Sequence, residues 1–493
     1  MDQVPQDSSN VAPLGLLFLL CMIVLTWCLP RRFALIPLMI TTCYMPLGQM
    51  FVIAGLHFQF IRILLLVGWC RVFIRGEVRG LRIGRLDKIF IYWALATLVL
   101  GTLAQPSFER FTNRSGEIYN AVGSFFLIRC WVRDLDDVIR VVRIMSLMIV
   151  PLALSMVVEK FTGRNSFALF GGVPEITVER EGQLRCQGAF RHPILAGTYG
   201  ATCFAFFVGL WFQKGRNKLH AVIGAFASVV VTIAAASSGS LLALISAGVG
   251  LSLWPLRHRM RMFRWAIVAI LIVLSLLMKA PVWYVFAKLS DVAGGTGWYR
   301  SFIIEQAINH FNEWWLVGST YTAHWAPGGE VMAGNPGNMD IINNYVSEGL
   351  GGGIVKLGLF IALIVGCYKV IGQLVRRPNF FSLGQRIFIW SLGVCLTSHC
   401  ISFFSVVYFD QIVVMWYWIL AVVTMLSDRY ILPKPGFQPG ERVGTAVIKG
   451  TTRMVNAPQG ARYGRLAATR CSNLSFGKGL ALNVLTGCAH RCY

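Results

Sequence analysis

Runs of predominantly apolar sequence, each about 20 residues long, recur along this chain, and that is the length needed to cross a hydrocarbon core of about 30 Å. The 493 residues are 56% hydrophobic and only 14% charged, against about 25% charged in soluble domains. The chain is therefore expected to be an all-α polytopic membrane protein rather than a large soluble enzyme. Spans are expected near Val11–Leu29, Phe33–Ala54, Phe58–Ile74, Ile89–Leu103, Ile118–Val132, Val138–Val158 and Pro193–Phe212. Six more follow near Leu219–Ala236, Leu241–Pro255, Trp265–Trp283, Gly351–Ile371, Ile387–Tyr408 and Ile412–Ile431. Phe33–Ala54 holds Pro37, Pro46 and Gly48, so it is expected to be broken or re-entrant, and the total to be twelve or thirteen.

A formal charge of +23 could point to nucleic acid, but a membrane protein concentrates Lys and Arg in its short cytoplasmic loops. The basic stretches Arg31–Arg32, Arg75–Lys88, Lys214–Lys218, Arg257–Arg264 and Arg376–Arg386 all fall on one side of a single alternating topology with the N-terminus outside. No nucleic-acid partner is expected; the lipid bilayer is. The N-terminal "MDQVPQDSSN" has no basic region, so the first apolar run reads as a retained span rather than a cleaved signal. The domain reading is a transmembrane unit, residues 1–432, followed by a basic, Gly-rich, disordered cytoplasmic tail, 433–493.

Most of the thirteen cysteines lie singly in apolar runs and act as small hydrophobes. Cys488 and Cys492 around His490 are too isolated to make a zinc site, and neither metal nor cofactor is expected.

This topology leaves two long segments outside, 159–192 and 284–350. Long connections are functional or disordered, and Trp314, Trp315 and Trp325 argue against disorder in the second. In the first, "EREGQLRCQGAFRHP" carries Arg185, Arg191 and His192 at the mouth of a span. Arg191 could simply snorkel to headgroups. Pro193 suits a first helical turn, which puts Arg191 and His192 where free amides and the helix dipole favour an anion. In the second segment Arg300 opens a helix-like stretch, and "GNMDIINNYVSEGLGGG" brings Asp340, Asn343, Asn344, Tyr345 and Glu348 to the next span. Such residues on an outer loop are ordinarily just solvated. Two Arg-bearing loops on one face instead suggest recognition of phosphate, which an Arg fork binds bidentately. A diphosphate-linked lipid is the fitting anion.

Those residues also carry a resemblance. "R-x-x-G-x-F-x-H-P" (Arg185, Gly188, Phe190, His192, Pro193), the Arg before "WWLVGS" and the closing "NNYVSEGLGGG" resemble motifs of the O-antigen ligase/polymerase superfamily over the central half of the chain. The resemblance implies a metal-independent glycosyltransferase of the bacterial inner membrane. It would move a glycan from an undecaprenyl-diphosphate carrier to an acceptor glycan or lipid hydroxyl on the periplasmic face, in O-antigen, lipopolysaccharide or exopolysaccharide biosynthesis. It also implies Arg185 and Arg300 as the diphosphate clamp, with Arg191 beside them, and Asn343, Asn344, Tyr345 and Glu348 near the acceptor. Where ligases of the family carry His-Asn, this chain has Asn343 and Asn344, and asparagine is no general base. Asp340, or else His324, is expected to take that role. The departure weakens the ligase reading and favours a polymerase or a related exopolysaccharide enzyme, with a chain-length regulator or other assembly protein as partner. The competing expectation is a lipid-linked oligosaccharide flippase or polysaccharide exporter, whose ionisable groups would sit at the bilayer midplane.

Overall fold

The computed structural model describes residues 11–53, 56–215, 217–285, 297–326 and 338–431. The proposed tail, with Cys488, His490 and Cys492, lies outside them. The described residues are mostly helical: α1 Pro13–Cys28, α2 Ile36–Tyr44, α3 Phe60–Ile74, α4 Arg85–Leu103, α5 Phe108–Trp131, α6 Leu135–Thr162, α7 Pro193–Leu210 and α8 Asn217–Ala234. Then come α9 Ser238–Ser252, α10 Met260–Leu277, α11 Gly297–Asn309, α12 Phe311–Trp314, α13 Asn344–Leu350, α14 Gly353–Val375, α15 Leu383–Ser402 and α16 Ile412–Tyr430. Among the described residues seven helices are long and apolar enough to cross a membrane, and α1 and α9 are shorter apolar helices. This is a multi-pass, all-α membrane protein. The starts and stops follow local chemistry. Asp134 accepts the Asp137 N–H at 2.8 Å to cap α6, Ser382 and Gln385 form a capping box on α15, and Gly163 ends α6 at φ 70°.

The second expected span is broken. The helix α2 covers about 14 Å, less than half a bilayer. Pro46 bars Met45 from helical backbone, and Met45 is extended. Past Gln49 the chain forms the hairpin β1 Met50–Ile53 with β2 Leu56–Gln59. Backbone freed from a helix inside a membrane must find partners in the protein. The fully buried Gln411 supplies one, its Nε2 donating to the Met45 carbonyl at 2.9 Å.

Two helices, α7 and α16, are buried nearly all round. The first reads "PILAGTYGATCFAFFVGL", and its small residues let neighbours approach closely. A Cβ on Gly200 would lie 2.7 Å from the Ser228 carbonyl of α8, and one on Gly197 2.4 Å from Ser240 Oγ of α9.

The stretches read as cytoplasmic meet at one end of the body. There the buried Arg129 is held between Asp87, at 3.2 Å, and Asp428. Arg71 turns its guanidinium onto Glu77 at 2.8 Å and onto the Thr26 and Leu29 carbonyls at 2.5 and 2.7 Å, closing the C-terminus of α1. Removing one partner of a buried ion pair costs about 3–5 kcal/mol because the other charge is stranded. Arg129→Ala, which leaves Asp87 facing Asp428, is therefore expected to lower the melting midpoint of the detergent-purified protein clearly. Arg114→Ala, which removes a partly exposed pair with Glu117, is expected to shift it little; equal shifts would show that the Arg129 cluster carries no special weight.

Candidate functional site

The loop between α6 and α7 is built to hold arginines. Its hairpin pairs β3 Val178–Arg180 with β4 Gln183–Arg185 around a two-residue turn, Glu181 and Gly182, both at positive φ (54° and 72°) as a type I′ turn requires. Side chains directly across a hairpin share a face, and so do residues two apart on one strand. Arg180 faces Gln183, so Arg180 and Arg185 emerge on the same face. Below the hairpin the chain is fixed from inside. The buried Glu159 accepts the N–H groups of Gln187 and Gly188, both at 3.0 Å, and the Thr177 hydroxyl at 3.1 Å. Asn165 and Gln411 donate to the Gly188 and Ala189 carbonyls, each at 2.8 Å.

The loop delivers His192 to the start of α7, where its Nδ1 accepts the Ile194 N–H at 3.2 Å. That acceptor role places the ring proton on Nε2. Burial first, then the charges of Arg185 and Arg180, push His192 down to about 4. Arg185 is half-buried, its Nε has no hydrogen-bond partner among the described residues, and burial and then Arg180 lower its pKa. From the other segment Arg300, 8% exposed on α11, is likewise lowered by burial and then by Arg180. Its Nη2 donates to Ser238 Oγ, at the start of α9, at 3.4 Å. The charge of Arg180 thus reaches Arg185, His192 and Arg300, beside the adjoining N-termini of α7 and α9. Glu181, 3.3 Å from Arg180, offsets part of this charge, and like charges gathered under partial burial favour the arrival of a further anion.

Arg191 points its side chain outward, but its backbone N–H donates to Asp410 Oδ2 at 2.8 Å. Asp410 joins α15 to α16, and its buried Oδ1 has no hydrogen-bond partner among the described residues. Burial raises its pKa to about 6, against the Arg191 N–H and guanidinium, which oppose the rise. This carboxylate stands one residue along from the His192 position.

The expected bases, Asp340 and His324, have contacts of their own. Asp340 is an exposed residue whose carbonyl accepts the Tyr299 hydroxyl at 2.9 Å; shielding of its carboxyl raises its pKa, and no arginine enters that shift. His324 belongs to a different cluster, in which His324 Nε2 lies 2.9 Å and His310 Nδ1 2.7 Å from the Glu313 carboxylate. The residues expected near the acceptor are engaged in packing. Asn343 caps α13, accepting the Tyr345 and Val346 N–H groups at 2.9 and 3.2 Å. Asn344 accepts the Tyr408 N–H at 3.0 Å, and Tyr345 donates to the Cys400 carbonyl at 3.1 Å. Glu348 pairs with Lys356 at 3.3 Å and accepts the Trp93 indole N–H at 2.9 Å. The "WWLVGS" and "EGLGGGI" stretches bond to each other through backbone, Ser319 N–H to the Leu350 carbonyl at 3.0 Å and Ile354 N–H to the Trp315 carbonyl at 2.8 Å. Gly318, at φ 95°, is required there, since a Cβ would lie 2.1 Å from the Leu350 oxygen.

Arg180, Asp410 and the His310–Glu313 pair were not singled out from the sequence. Arg180 was legible, because "REGQ" is a two-residue hairpin turn that fixes its face. Asp410 was not, because only the packing of α7 against the α15–α16 turn brings it to the arginines. The sequence matches no family model and no curated protein.

An unpaired backbone N–H costs about 1–3 kcal/mol when buried, and Glu159 satisfies two. Glu159→Ala is therefore expected to free the loop, with trypsin cutting the folded protein faster after Arg180, Arg185 or Arg191. An unchanged cleavage rate would show that the loop is held by other means.

Proposed function

We propose that this protein is an inner-membrane glycosyltransferase, its arginine-bearing face periplasmic, that transfers or polymerises a glycan from an undecaprenyl-diphosphate carrier to an acceptor hydroxyl. The observation that supports this best is the convergence of Arg180, Arg185, Arg300 and His192 from two loops, beside two helix N-termini, with the Asp410 carboxylate adjacent. In this reading the acceptor oxygen attacks the anomeric carbon in line and inverts it. The bond from that carbon to the phosphate oxygen breaks, its electron pair leaves on the diphosphate, and the acceptor proton goes to Asp410. The arginines neutralise the charge appearing on the leaving oxygens, a contribution of the kind that costs about 10²–10³-fold when one donor is lost. Asp410 is preferred over Asp340 as the base because it has a free oxygen and lies beside the cationic loop.

Reconstitution with a labelled diphospholipid glycan tests both roles. Arg185→Ala and Arg300→Ala are each expected to cut transfer by about 100-fold or more while the protein stays inserted and monodisperse. Asp410→Asn is expected to cut it by about 10²–10⁴-fold, and Asp340→Asn to leave most of it. A base must be deprotonated to act, so the wild-type rate should climb as pH rises through about 6 and then level off. Full activity in the arginine variants would dismiss the clamp; a flat profile, or an active Asp410→Asn, would dismiss the base.

A further inference from the structure

The His310, Glu313 and His324 cluster is not used by the transfer reaction, and its geometry is specific. Three chain segments supply one ligand each: the residue after α11, the short α12, and the turn Ala323–Trp325. Their donor atoms all lie within 4.8 Å of one another. Both imidazoles face a single carboxylate, His324 Nε2 at 2.9–3.1 Å from its two oxygens and His310 Nδ1 at 2.7 Å. Each ring is held in place by a stacked aromatic, His310 by Trp325 (5.2 Å between centroids, 12° between planes) and His324 by Tyr321 (5.3 Å, 13°). The Trp325 indole N–H fixes the carboxylate in turn, donating to Glu313 Oε2 at 3.0 Å. The side chains remain 27–40% exposed, so an ion can reach them. Surface groups wanting only hydrogen bonds could find them in water without this bracing.

We propose that His310, Glu313 and His324 form a zinc site, with a water molecule in the fourth position. Two imidazoles and one carboxylate are a known three-ligand set for zinc. The absence of thiolate from the cluster disfavours Cu(I), and the imidazole pair disfavours magnesium and calcium. His310 lies about 15 Å along the chain's helical rise from Arg300, so the ion does not touch the arginine cluster. Its effect is to tie the end of α11 to the Ala323–Trp325 turn and so to steady the helix that carries Arg300. The site does not depend on the glycosyltransferase reading.

The test uses the full-length protein in detergent, with Cys471→Ser, Cys488→Ser and Cys492→Ser in every sample so that the tail cannot contribute a thiol. After chelator treatment and addition of zinc chloride, about one zinc per chain is expected, together with a raised melting midpoint. His324→Ala and Glu313→Gln should each weaken zinc binding by more than about tenfold and abolish the rise in midpoint. His324→Cys should restore binding and, loaded with cobalt, gain a thiolate-to-metal charge-transfer band that the parent lacks, which reports ligation directly even if the alanine variant folds poorly. No zinc in the parent, equal zinc in His324→Ala, or no new band in His324→Cys would each overturn the proposal.

Discussion

A backbone N–H or C=O in a membrane interior has no water to turn to, and this structure is organised by how that demand is met. Helices meet it alone. The chain leaves helix within the body at Met45–Gln49 and again at Cys186–Arg191, and at both places buried polar side chains close the gap. Gln411 serves both, reaching the Met45 and Ala189 carbonyls at once. Glu159 and Asn165 complete the second break, and Gln49 accepts the Ala12 N–H at 2.7 Å beside the first. Gln411, Glu159 and Gln49 look out of place beside apolar sequence until the carbonyl or amide each serves is known.

Once the irregular backbone is anchored, charge can be placed with precision at the body's end. Glu159 fixes the base of the arginine loop, the hairpin turn sets which face its side chains share, and the wall of α7 and α9 brings helix N-termini to the same spot. The opposite end uses charge differently. Arg129 and Arg71 are surrounded by carboxylates and carbonyls and serve to join helices. At one end cations join helices through buried carboxylates and carbonyls; at the other Arg180, paired with Glu181, stands close enough to act on Arg185, His192 and Arg300.

Much of the fold was legible from the sequence, because membrane helices announce themselves by length and apolarity. The final span, expected at Ile412–Ile431, is Ile412–Tyr430, and the prolines and glycine of Phe33–Ala54 correctly marked a broken crossing. Part of the candidate site was legible too, since Arg185 and His192 both precede a Pro-started helix. What stayed hidden depends on contacts between distant segments. Asp410 lies in "VVYFDQIVV", an unremarkable junction of two spans, and acquires its setting only from Arg191, more than two hundred positions earlier. Conversely, the conspicuous "NNYVSEGLGGG" caught the eye for chemistry, while its asparagines and glycines serve helix capping and close backbone approach.

The hairpin has a consequence for how this loop can vary among related chains. Because alternation along a strand has a period of two, a single-residue insertion or deletion in β4 ahead of Arg185 would rotate that arginine to the far side while leaving total charge intact. The spacing of the two arginines is therefore as much a part of the site as their charge. Homologues should tolerate lysine for arginine here more readily than an insertion or deletion between the two.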